Sequence, residues 1–215
     1  MANDEWRMTN YELRNSGQRS FVIRRSSLVI ILLSFLLTAC AFPGSTKPVI
    51  KIGMIAPFDG LLRHQGYQRL YGVKLALQEV NLSGGVAGYK TELVALNDFA
   101  DEDETILQAQ ELVLDSDVRG IIGQWDATLF NAAAPIYSAA QLAVVNPSQF
   151  THATDLPDTF ATDFEALSGS PPNPEAQQAY LSTRRLLKAI EEAVEATGRP
   201  ERANVSEKLK MQSSK

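Results

Sequence analysis

VIKIGMIA (Val49–Ala56), TELVALN (residues 91–97), GIIG (residues 120–123) and LAVVN (residues 142–146) are four short apolar runs in a 215-residue chain. Three segments with apolar residues at helical spacing lie between them. Strand alternating with helix is the pattern of a parallel sheet with helices on its faces. The first run is apolar on both faces, as a central strand covered from both sides requires. Pro57 ends it, and Pro147 ends the last run.

The helices follow from the same periodicity. Residues 65–82 carry Leu70, Val73, Ala76, Leu77 and Val80 as a buried stripe. Gly66 and Gly72 fall in this helix, where glycine costs ~1 kcal/mol against alanine, so close backbone packing is expected there. Asn81-Leu82-Ser83-Gly84-Gly85 stops it. Residues 102–114 form a second helix with Ile106, Ala109, Leu112 and Val113 inward. Its acidic start, Asp98 to Glu104, reads as a cap at Asp101 and a dipole-matched first turn. The ligand spacing of a calcium loop is absent. Residues 128–140 form a third helix.

Outside this stretch the N-terminal 39 residues read as an address. Residues 1–20 are polar, of mixed charge and without apolar period, the composition of a disordered segment. Met1 and Met8 both remain open as starts. Arg24 and Arg25 precede the run Leu28 to Leu37, which is shorter than the ~20 apolar residues a membrane-spanning helix needs. A basic flank, a short apolar core and small residues after it make a secretory signal peptide. Leu37-Thr38-Ala39-Cys40 resembles a bacterial lipobox, and Cys40 is the only cysteine. The reading is lipidation at Cys40 and a lipid-anchored, extracytoplasmic protein of the cell envelope. Residues 40–48 are the tether.

Charge narrows the function. Without residues 1–39 the chain holds 15 basic and 22 acidic residues, a net of −7. Nucleic acid is therefore not an expected partner. One cysteine excludes an intrachain disulfide and a cysteine-based zinc site. No glycine-rich phosphate loop, nucleophile elbow or histidine-rich motif occurs, so neither an enzyme nor a cofactor is expected. His64 and His152 read as isolated loop residues.

Several segments together resemble a known family. They are KIGMIAPFDG (residues 51–60), Gly66, Gly72, EVNLSGGVAGY (residues 79–89), Asn97-Asp98 and GIIGQWDATLFNAAAPIYSAAQLAVVNPS (residues 120–148). They look like lobe one of the type I periplasmic solute-binding proteins, the leucine/isoleucine/valine-binding group of ABC transporters. The resemblance implies an α/β, doubly wound parallel sheet at residues 49–150, with an additional C-terminal helix. Residues 164–200 resemble a segment near the family's C-terminus, with Pro174 in the first turn of a helix and Leu186, Leu187, Ile190 and Val194 as its stripe. Family members place a whole second lobe between positions matching Ser148 and this segment; here about 15 residues, 149–163, stand there. The organisation expected is a shortened connection at 151–172, a helix at 173–197 packing back on the lobe, and a tail at 198–215.

The family closes two lobes on a free amino acid, and the resemblance implies where lobe one holds the α-carboxylate. A serine hydroxyl and backbone N–H groups serve after strand three, and a threonine hydroxyl with backbone groups after strand four. Here Ala127 stands at the serine position, and its neighbour Thr128 is the available substitute. Asp126 has two readings: a cap on the third helix, or a partner for the α-ammonium. Trp125 reads as an apolar wall or as packing at the lobe edge. Ser148 matches a position acting through its backbone, and Phe150 stands where the threonine is expected. Phe58 and Tyr67 belong near the mouth, Tyr67 equally as helix surface.

The function implied is lipid-anchored solute binding for an ABC-type importer of branched-chain amino acids or related small solutes. The partners implied are a small polar ligand such as an amino acid, bound weakly without a closing lobe, an ABC permease, and the membrane through Cys40. A homodimer would cover apolar surface near the hinge. The alternative is a non-transport envelope lipoprotein that uses its single lobe for protein contact or sensing.

Overall fold

The first strand fits the pleat of a central strand residue by residue. In the computed structural model, which describes residues 48–149 and 155–213, β1 is Val49–Ala56. Ile50, Ile52, Met54 and Ala56 enter one buried cluster and Ile55 another, as alternation across a strand dictates. The remaining elements are α1 (Arg63–Leu82), β2 (Lys90–Asn97), α2 (Glu102–Leu114), β3 (Val118–Ile122), α3 (Ala127–Ala139), β4 (Ala143–Val145), α4 (Phe160–Ser168), α5 (Pro174–Thr197) and α6 (Arg202–Ser213). The strands form one sheet in the order β2-β1-β3-β4, and every pairing is parallel.

Helices cover both faces. On one, Val73 and Leu77 of α1 meet Leu186 and Ile190 of α5 over β1. On the other, Ala109 and Leu112 of α2 meet Ala133 and Tyr137 of α3 over Ile55 and Ile121. Two close approaches explain the glycines of α1. A Cβ on Gly72 would lie 2.3 Å from the Ala176 carbonyl oxygen of α5, and one on Gly66 would lie 1.8 Å from that of Pro57. The turn into β2 is tied by Asn81, whose side chain accepts from Thr91 N at 2.9 Å and donates to Thr91 O at 2.8 Å.

The segment after β4 departs from expectation. Residues 151–172, read as a connection, contain α4, whose Phe160 ring lies 5.0 Å from that of Tyr180 on α5. Residues 198–215, read as a tail, contain α6, with Val205 and Leu209 in the core of the first face. Arg202 anchors α6, its guanidinium donating to the carbonyls of Val113 at the end of α2, Asp115 just after it and Val118 at the start of β3. The expected single late helix is thus three helices.

Cys40 and the apolar run Leu28 to Leu37 lie outside the described residues, as does Phe150. Among the described residues no helix is long and apolar enough to cross a membrane.

Candidate functional site

The strand order reverses at β1, which has β2 on one side and β3 on the other. In open α/β sheets the crevice beyond the carboxyl ends of the strands at such a switch point is where ligands bind. A cavity of about 190 Å³ lies there, lined by the end of β1 (Ile55 to Pro57), by α1 (Gln65, Arg69) and by the loops after β2 (Asp98, Ala100) and β3 (Gln124 to Asp126). Pockets for drug-sized molecules run ~300–1,000 Å³, so this one suits a small polar head group. Asn97 knits its mouth: the side chain accepts from Phe58 N at 2.9 Å and from Phe99 N at 3.1 Å, and donates to Asp59 at 2.9 Å.

The charged groups are unevenly satisfied. Arg69 is 8% exposed. Its Nη2 donates to Gln65 Oε1 at 3.1 Å and Glu175 Oε1 at 3.4 Å, and its guanidinium lies 4.8 Å from the centre of the Trp125 ring. Burial lowers its pKa against the pull of Glu175 and Asp98. Asp98 is 1% exposed, and burial raises its carboxyl above the usual range, with Arg69 opposing and Asp126 adding. Three buried atoms here have no hydrogen-bond partner: Arg69 Nε, Gln124 Oε1 and Trp125 Nε1. Gln124 Nε2 donates to the Tyr137 hydroxyl at 3.1 Å.

The residues singled out from sequence fall into different places. Trp125 and Asp126 line the cavity. Asp126 is the N-cap of α3, accepting from Thr128 N at 2.8 Å and Leu129 N at 3.2 Å, so those two first-turn donors are already used. Ala127 and Thr128 are exposed. After β4, Ser148 N and Oγ both donate to Asn146 Oδ1, at 2.9 and 2.6 Å; the backbone donor assigned there to a ligand is also taken. Tyr67 is exposed and packs on Phe58 with ring centres 5.8 Å apart. In the acidic run after β2, Asp101 caps α2 by accepting from Glu104 N at 3.0 Å. Among the described residues no cluster of histidine, cysteine and carboxylate side chains could hold a metal ion.

Sequence reading missed Gln65, Arg69 and Gln124. A signal was present for Arg69, which stands four residues before Val73 and seven before Ala76, on the buried stripe of α1. Gln124 carried none beyond following the third apolar run.

Comparison with known proteins gives a consistent result. The family model described as periplasmic binding protein matches residues 49–166. Leu/Ile/Val-binding protein homolog 7 of Brucella melitensis is 35% identical over 106 residues, 49% of this chain and 26% of that protein. The Leu/Ile/Val-binding protein of Escherichia coli K12 is 24% identical over 99 residues, 46% of this chain and 27% of that one. The match thus spans about a quarter of the length of these curated relatives. Among solved structures, the branched-chain amino acid transporter substrate-binding protein LivJ of Streptococcus pneumoniae, in complex with isoleucine, aligns with a TM-score of 0.64 at 12% identity, over 75% of this chain and 87% of that one. A putative branched-chain amino acid ABC transporter protein from Rhodospirillum rubrum aligns with a TM-score of 0.65 at 13% identity, over 75% and 88%. At these identities the likeness is one of fold.

Proposed function

Because this chain belongs to the periplasmic binding protein family, we propose that it is an extracytoplasmic solute-binding protein serving an ABC-type importer of branched-chain amino acids or related small solutes. The observation that carries this reading is the sequence match over about half of this chain to proteins named for leucine, isoleucine and valine binding. The polar crevice at the switch point between β1 and β3 supports it, because it is the place and size for an amino-acid head group. The lipobox-like Cys40 is proposed as the lipidation site that keeps the protein at the membrane, where a permease partner would meet it.

Binding and anchoring are separately testable. Thermal unfolding of the full chain in detergent is measured with each standard L-amino acid added. A ligand at 100 times its dissociation constant stabilises by ~2.7 kcal/mol, so an apolar amino acid is expected to raise the midpoint. A midpoint that no amino acid moves would sink the ligand class. Labelled palmitate should enter the wild-type protein in bacterial cells and be lost in Cys40→Ser; label retained in that variant would refute anchoring at Cys40.

A further inference from the structure

The sheet has two outer strands, β2 and β4. β4 is three residues long, and α6 lies against it. β2 runs for eight residues, pairs with β1 in an unbroken register, and has no strand on its other side among the described residues. Folds guard such a strand with bulges, proline, charges or brevity. Between residues 93 and 96, which read Leu-Val-Ala-Leu, β2 has no such guard.

The ladder shows which backbone groups are open. Lys90 N donates to Pro48 O and Asp98 N donates to Ala56 O. Even-numbered residues of β2 therefore serve β1, and odd-numbered ones turn their N–H and C=O outward. Thr91 is clipped on both groups by the Asn81 side chain. Leu93 and Ala95 have no such partner among the described residues. The two ends of the strand also differ. A groove of about 460 Å³ beside its start is lined by Lys74, Leu82, Lys90 and Leu93, among others, and Leu82 is 81% exposed. Just past its end come Phe99, 56% exposed, and the exposed acids Asp101, Glu102 and Asp103. One end offers lysines and a bare leucine, the other carboxylates and a bare phenylalanine.

We propose that the open side of β2 binds a second copy of this chain, the two β2 strands running antiparallel about a two-fold axis at Val94. Two four-stranded sheets then join into one continuous sheet. In this register Leu93 of each copy exchanges N–H···O=C bonds with Ala95 of the other. The axis also brings unlike ends together, as a self-complementary interface requires. Lys90 and Leu82 of one copy stand at the level of the turn that holds Phe99 and the acids of the other. Pairing with the strands parallel would instead set lysines beside lysines and acids beside acids, which opposes association. The surface is separate from the solute crevice, and the proposal does not depend on what the crevice binds.

Sedimentation equilibrium of the full chain in density-matched detergent should show a monomer–dimer equilibrium. Ala95→Pro removes one outward donor per copy and no bond of the β1 ladder, the place where an outer strand tolerates proline. It should raise the dissociation constant at least about tenfold. Lys90→Glu should weaken the dimer, and adding Glu102→Lys and Asp103→Lys to it should restore association. Cross-linking keeps the test decisive if Ala95→Pro does not fold. Cys40 is the only cysteine, so the variants are made in a Cys40→Ser background. Across the axis the two Val94 Cα atoms form a non-hydrogen-bonded pair about 4.5 Å apart, within disulfide reach. Val94→Cys should therefore cross-link to its own copy under mild oxidation. The two Glu92 positions are offset by four residues, about 13 Å, so Glu92→Cys should not cross-link. Any one of four results would overturn the proposal: wild type that stays monomeric, a dimer that a folded Ala95→Pro leaves intact, charge reversal that does not restore Lys90→Glu, or cross-linking no faster at Val94→Cys than at Glu92→Cys.

Discussion

At the amino-terminal edge of the sheet Lys51 lies 2.8 Å from Asp115, and Arg202 spends its guanidinium on three backbone carbonyls. At the carboxyl-terminal edge Arg69, Gln124 and Trp125 each keep a buried atom without a partner. The acids at the two edges also titrate in opposite directions. The Lys51 ammonium holds Asp115 below the usual carboxylate range, whereas burial pushes Asp98 above it. The amino-terminal edge also leaves Thr91 Oγ1 and Arg119 Nε without partners, so the contrast lies in its paired charges and in the direction of the carboxyl shifts. At the carboxyl-terminal edge the unpartnered atoms of Arg69, Gln124 and Trp125 line or adjoin a single crevice, and each unmet buried group carries a cost.

Four measurements break or sharpen that contrast. The largest effect is expected from Gly66→Ala, because the added Cβ meets a backbone oxygen at 1.8 Å. Urea unfolding should show a loss of about 3 kcal/mol, in the range for overpacking, with the loop after β1 displaced. A loss near zero would mean that α1 does not press on that loop. Arg202→Ala should cost about 2 kcal/mol by the same measurement, since three carbonyls lose a charged donor. A neutral result would show α6 to be an ornament of the fold and not its closure. Asp126→Ala should cost about 1 kcal/mol through the lost cap, while Asp126→Asn should stay within a few tenths; equal losses would deny the capping role.

The smallest effect carries the clearest sign. Asp98 has a folded-state pKa above its unfolded value, so its ionisation works against folding as pH rises from about 4. Asp98→Asn should therefore be more stable than wild type at neutral pH, with the advantage gone in acid. Asp115 has a folded-state pKa below its unfolded value, so its contribution is full above that value and is lost as pH falls through the lowered one. Asp115→Asn should be less stable than wild type at neutral pH, with the deficit gone in acid. Curves of the same sign would contradict the difference between the edges.

Much of the sheet was legible because its signals are local. The α2 boundaries follow from the Asp101 cap and the acidic first turn, and they agree with the structure at both ends. Each apolar run became a strand to within two residues at either end. The capping of α3 by Asp126 and the turn closed by Asn146 are likewise short-range chemistry. The helix α6 was not legible: its two core residues, Val205 and Leu209, are a single i, i+4 pair among charged neighbours, too little periodicity to read. Of the residues that line the crevice, Trp125 and Asp126 were singled out through the family resemblance, whereas Gln65, Arg69 and Gln124 were not.

The sequence by itself determined the alternation of strands and helices, the covered central strand, the caps and the closely packed glycines. Each of these is set by neighbours within a few residues or by the period of apolar side chains. The tertiary structure alone decided which polar groups are paired. Arg69 and Glu175 are 106 residues apart and meet only because α5 crosses α1 at Gly72. Periodicity says which face of a helix is buried, but the partner waiting there comes from a distant part of the chain. Whether a buried donor is satisfied or left for a ligand is therefore settled only when the elements pack.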